Sequence, residues 1–477
     1  MAMRSWLAGA TVVALLGAGA CGSPATKPLF KTDPRLPAPE TAAFDPAGVG
    51  DPYFPTAGNG GYDVSSYDLK LRYDPATGRL DGTAAITATT ARDLTDFHLD
   101  LHALPATKAD VDGTAAATRH DGDELVVTPV APLTAGQTFV ATIAYGGTPS
   151  PIEDRRFGSG GFFRTRDGAI AMGEPASAST WFPVNDHPRD KAHYTIEVTV
   201  PDGLAAISNG VPSGQSSQGG WTSWRWEVTA PMAPYLAMLA IGKYRVVTSE
   251  HDGKPVVSVV ADTVRGDDAQ TALARTPEIT DFLAQWFGPY PFDAYGGVVV
   301  DDERVDEALE TQTRPVYPAS TFRRGPDTVT VAHELAHQWF GDSVSLTRWR
   351  DIWLNEGFAT YAEWLWQEHE GTSTVRERFD RLYRNPDNRI WSVPPGDPGR
   401  GGLFSDSVYQ RGAMTLQALR DQVGDDAFLT ILRTWATTHR DGNATTGDFT
   451  ALAEKVAGRS LAGFFDAWLF QTGRPQL

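Results

Sequence analysis

The chain has 477 residues, more than one ordinary hydrophobic core organises, so two or three domains are expected. Hydrophobic residues make up 41% and charged residues 21%, the balance of a soluble globular protein. Asp and Glu number 59 against 41 Lys and Arg, and a net charge of −18 repels phosphate backbones, so a nucleic-acid partner is set aside. The single cysteine, Cys21, leaves no internal disulfide and no thiolate metal site, so any metal must be held by nitrogen and oxygen.

Residues 1–20 read as a signal peptide. Arg4 supplies the positive flank, and residues 7–20 form an apolar run shorter than the roughly 20 residues a bilayer requires. The run closes on Ala18-Gly19-Ala20-Cys21, small residues followed by the lone cysteine. That arrangement resembles a bacterial lipoprotein signal, although the position three before the cysteine is usually Leu. It implies export, with a lipid on Cys21 holding the protein to the outer side of the cell membrane; plain secretion is the alternative. Residues 21–60 carry eight prolines and no sustained hydrophobic period, which predicts a tether.

Residues 61–247 read as a β-rich domain. Strict apolar–polar alternation over 67–73, 97–101 and 194–200, with a turn at Asp74-Pro75-Ala76-Thr77-Gly78, predicts short strands in antiparallel sheets. From residue 248 to 477 the pattern turns helical. Helices are predicted over 271–287, 327–340, 353–369, 407–423, 426–437 and 446–456, the last capped at Thr445.

The second helix contains His333-Glu334-Leu335-Ala336-His337. Residues four apart share a helix face, so both imidazoles reach one ion, while Glu334 points beside it. Zinc needs a third protein ligand and an open position for water. Glu356 opens the next strongly helical stretch, and the 18 residues between allow a turn and a return to the same ion. A surface helix that merely carries two histidines is disfavoured, because Val329, Val331, Leu335, Trp339 and Phe340 make this one apolar. A buried His-Glu-His cluster without a metal would strand polar groups.

Around the third ligand the chain reads Trp353-Leu354-Asn355-Glu356-Gly357-Phe358-Ala359, continued by Tyr361 and Glu363. With the His-Glu-x-x-His and its spacing, this resembles the gluzincin aminopeptidases related to aminopeptidase N and leukotriene A4 hydrolase. Trp181-Phe182-Pro183-Val184-Asn185-Asp186-His187-Pro188 and Val408-Tyr409-Gln410-Arg411-Gly412-Ala413 resemble two further segments of that family. The resemblance implies an α+β protein: a β-rich saddle, then a thermolysin-like, mostly α-helical catalytic domain. Many relatives carry a further helical domain; here two domains and a more open cleft are expected.

The resemblance also implies one zinc ion on His333, His337 and Glu356, Glu334 as general base, and Tyr409 as hydroxyl donor to the oxyanion. Glu310 would be the carboxylate for the ammonium end of a peptide substrate. Two departures touch amine recognition. The family's Gly-x-Met-Glu-Asn appears as Glu307-Ala308-Leu309-Glu310-Thr311, and a Gln before its Glu-Pro pair is replaced by Met172. A metallo-endopeptidase and a non-catalytic surface module that keeps the fold are the competing readings.

Overall fold

The computed structural model describes residues 45–477. The signal peptide, Cys21 and residues 21–44 of the expected tether lie outside the described residues. The remainder of that expected tether, 45–60, is corrected: it is built into the folded body. Asp51 and Asn59 are buried there. Asp51 Oδ2 accepts from the Trp349 amide at 2.8 Å and faces His187 Nε2 at 3.3 Å. Gly399 N donates to the Tyr53 hydroxyl at 2.8 Å, and Asn59 Nδ2 donates to Asp100 Oδ2 at 2.8 Å. Proline content suggested an unpacked chain, but a few polar side chains at the right spacing hold it down.

Of the predicted strands, 97–101 falls in a three-stranded sheet with Glu124–Thr128 and Ala117–Asp121, while 67–73 and 194–200 sit in an eight-stranded sheet. Its centre is Tyr62–Asp74, paired antiparallel to Arg79–Thr90 and parallel to Ala192–Pro201, with Leu69 opposite both Ala84 and Ile196. Along Tyr62–Asp74 inward and outward residues alternate, so Tyr67, Leu69, Leu71 and Tyr73 enter the core and Lys70 and Arg72 face solvent. A five-stranded sheet, from Ala205–Ser208 to Ile152–Asp154, lies in the same portion of the chain and includes Ala169–Met172.

The boundary expected at 247 falls inside the strand Tyr244–His251, which already belongs to the next sheet with Lys254–Ala261, Tyr295–Val300 and Val316–Pro318. Its last three strands run parallel, and Tyr295–Val300 is buried throughout, hence its unbroken apolar sequence. The predicted helix over 271–287 is two, Asp268–Ala274 and Thr276–Phe287. Pro277 lacks an amide hydrogen and its ring would clash with the carbonyl four residues back, so the chain restarts there.

Two helices carry the expected metal ligands. Thr328–His337 starts on Asp327, whose Oδ1 accepts from the amides of Val329 and Thr330. Trp353–His369 is buried along most of its length. It crosses the start of Gly412–Val423 at Gly357 and Gly412, where a Cβ on Gly412 would lie 2.8 Å from the Gly357 Cα. Only two glycines allow backbones that close. The crossing places the preceding π-helical turn, Ser407–Arg411, beside His333. Among the described residues no helix is long and apolar enough to cross a membrane.

Candidate active site

His333 Nε2, His337 Nε2 and Glu356 Oε2 form a small triangle with sides of 3.1, 3.4 and 3.5 Å. Four tetrahedral donors at zinc distances of about 2.0–2.1 Å sit about 3.3–3.4 Å apart, so the triangle is one face of a zinc coordination shell. The rings are oriented from behind. His333 Nδ1 lies 2.6 Å from Glu363 Oε1, and His337 Nδ1 lies 3.0 Å from the Phe340 carbonyl. A carbonyl only accepts, so His337 carries a proton on Nδ1, which leaves Nε2 as the atom that would turn its lone pair to a metal. Glu363 stands seven residues after Glu356, two helical turns on the same face. That spacing was the signal by which it could have been assigned from sequence.

The electrostatics favour positive charge at the triangle. Burial alone would raise the Glu356 carboxyl, but His337 and His333 outweigh it and hold it down at about 2. Burial would lower His337, yet Glu356 and Glu310 push it up to about 9. Two imidazole nitrogens and a carboxylate oxygen around a site that favours positive charge suit zinc, and the residues present fit it.

Glu334 is buried next to the triangle, and burial pushes its carboxyl up to about 7, against the pull of His333 and His337. Glu310 is brought to the same place. One carboxylate oxygen each from Glu310 and Glu334 and a ring nitrogen of His337 lie within 4.8 Å of one another. The Tyr235 hydroxyl donates to Glu310 Oε1 at 3.1 Å. Tyr409 arrives on the π-helical turn with its ring nearly parallel to that of His333, centroids 6.1 Å apart. Burial, then Glu356, raise its hydroxyl well above the ordinary tyrosine value, so it keeps its proton and stays a donor.

All six residues read from the sequence therefore converge on one site. The β domain adds two more. Tyr235 supports Glu310, and Glu174 presents Oε1 buried without a hydrogen-bond partner. Burial first, then Glu310, Glu356 and Glu334, raise the Glu174 carboxyl well above the usual range. A buried carboxyl with an unpartnered oxygen, next to a second acid, is relieved by a cation placed between them.

Residues 64–236 match the Peptidase M1 N-terminal domain, and residues 272–468 match the Peptidase family M1 domain. The crystal structure of an M1 zinc metallopeptidase from Deinococcus radiodurans is similar at 30% identity and a TM-score of 0.80, over 90% of this chain and 98% of that one. Human glutamyl aminopeptidase is 29% identical over 327 residues, 64% of this chain and 34% of its own length. Aminopeptidase M1 of Arabidopsis thaliana is 25% identical over 449 residues, 86% of this chain and 50% of its own. The chain thus spans half or less of the length of these curated relatives.

Proposed function

The chain belongs to peptidase family M1, and from that premise we propose that it is a one-zinc aminopeptidase that releases single residues from the free amino end of peptides. The observation that carries the reading is the short reach from Glu310 to His337 and Glu334, within 4.8 Å. In a peptide the amino nitrogen stands about 2.5 Å from the carbonyl carbon of its own residue. An ammonium held at Glu310 therefore leaves room for one residue before the scissile bond, which is the geometry of an exopeptidase.

His333, His337 and Glu356 would hold the zinc. The chemistry zinc supplies when bound is Lewis acidity toward a water and toward the scissile carbonyl. Glu334, with its carboxyl near neutrality, takes a proton from the attacking water and passes it to the leaving amine. The Tyr409 hydroxyl donates a hydrogen bond to the carbonyl oxygen as that oxygen gains charge. Glu310 and Glu174 receive the ammonium, whose desolvation is costly unless carboxylates meet it. The M1 zinc metallopeptidase from Deinococcus radiodurans has been crystallised as a mutant bound to a Tyr-Ser-Ala substrate, and a similar two-domain M1 zinc metallopeptidase as a mutant bound to L-arginine, which supports a site sized for a peptide's first residue.

The test is a panel of aminoacyl reporter substrates and their N-acetylated forms, with and without a chelator. Chelator-sensitive cleavage of the free-amine substrates alone is expected. Equal cleavage of the acetylated forms would point instead to an endopeptidase, and zinc binding without hydrolysis to a non-catalytic module. We further propose export with a lipid on Cys21, a reading supported by the residues 1–21 themselves.

A further inference from the structure

Glu310 sits in a loop, 309–314, whose six residues are all buried. A buried loop must find partners for its backbone polar groups. Two amide side chains outside it supply several. Gln338, the first residue past the helix that ends at His337, spans the loop: its Nε2 donates to the Glu310 carbonyl at 2.9 Å and its Oε1 accepts from the Thr313 amide at 2.7 Å. Asn209 comes from the β domain. Its Nδ2 donates to the Gln312 carbonyl at 2.8 Å and to the Leu236 carbonyl at 2.9 Å, and its Oδ1 accepts from the Met238 amide at 2.7 Å. Both side chains are fully buried. Leu236 directly follows Tyr235, whose hydroxyl reaches Glu310.

The loop also contains Thr313 at φ 68°, a region that a β-branched residue enters only when its surroundings compel it. Its hydroxyl accepts from the Gly210 amide at 2.8 Å, next to Asn209, and its amide is the one Gln338 receives. The strain is thus held from two sides, by the helix of metal ligands and by the β domain. Each amide uses both its donor and its acceptor, so no apolar or singly functional side chain replaces it.

We propose that Asn209 and Gln338 are positioning residues that set the distance between the Glu310 carboxylate and the metal ligands. Preference for a free amino end is then a joint property of the β domain and the metal-binding helix. This rests on the aminopeptidase reading, and neither residue touches substrate.

The test uses the full chain with Asn209→Ser and Gln338→Met, both uncharged, each made alone and together with Glu310→Ala. Zinc content is measured, with kcat and KM on one aminoacyl reporter and any residual rate on its N-acetylated form. Each single variant is expected to bind zinc normally and to lose about 10–100-fold in kcat/KM on the free-amine substrate, chiefly through KM. In the Glu310→Ala background the same changes should cost little more, because their effect runs through that carboxylate. Equal losses in both backgrounds, a parallel loss on the acetylated substrate, or loss of zinc or of folding in both variants would overturn the proposal. If the unaltered protein cleaves both substrates equally, the aminopeptidase reading itself fails and the inference falls with it.

Discussion

Gly412→Ala tests how tightly the helix crossing governs the site. The added Cβ would stand 2.8 Å from the Gly357 Cα, where carbon atoms prefer about 3.5–4.0 Å. The contact is backbone against backbone, so no rotamer change relieves it, and the helices must part by at least about 0.7 Å. Overpacking of this kind costs about 1–3 kcal/mol. The better helix propensity of Ala returns about 0.5–1 kcal/mol, which leaves a net loss of about 0.5–2 kcal/mol. The catalytic consequence is larger. Gly412 follows the turn that carries Tyr409, and Gly357 follows Glu356, so parting the helices moves the hydroxyl away from the metal ligands. A misplacement near 1 Å costs on the order of 100-fold in rate. We expect kcat to fall about 10–100-fold, zinc content to hold, and the urea midpoint to drop only modestly. Unchanged kcat with an unchanged or raised midpoint would show that the crossing has slack and does not place Tyr409.

Three further outcomes are expected. Glu334→Gln keeps full zinc by metal analysis but loses about 100-fold or more in kcat, because an amide takes no proton; parallel loss of metal and activity would make Glu334 structural. Glu363→Ala removes the partner of His333 Nδ1 and weakens zinc binding about 10–100-fold in competition with a chelator, with restored activity at excess zinc; unchanged zinc affinity would refute the orienting role. Cys21→Ala shifts the protein from the membrane pellet to the supernatant with its specific activity unchanged; continued pelleting would refute the lipid anchor.

How much of this was legible depended on the range of the signal. The His333–His337 spacing is a local consequence of helix periodicity, and Glu356 follows because one short connection, with the strand Val344–Leu346 and the 3-10 turn Trp349–Asp351, returns the chain to the same place. The bounds 353–369 match those of the helix Trp353–His369. Where one local rule opposed another, the reading slipped: Pro277 split a helix whose apolar spacing ran on through it. Contributions from the β domain were hardest to see. Tyr235 and Asn209 reach Glu310 and its loop only through sheet pairing across long stretches of sequence. Glu174 was visible beside Pro175, but its unpaired oxygen, which points to cation binding, is a fact of packing.

Composition invites an engineer to trim the proline-rich residues before 61. The folded body argues against it. Asp51 joins the Trp349 amide of one domain to His187 of the other, with its side chain sealed from water. Cutting there strands an imidazole and a peptide N–H in a dry seam between the domains. A shortened version that begins ahead of residue 45 keeps that rivet. One that begins at 61 should purify as two loosely joined halves, prone to proteolysis at the seam, with Glu174 and Tyr235 no longer held against the zinc ligands.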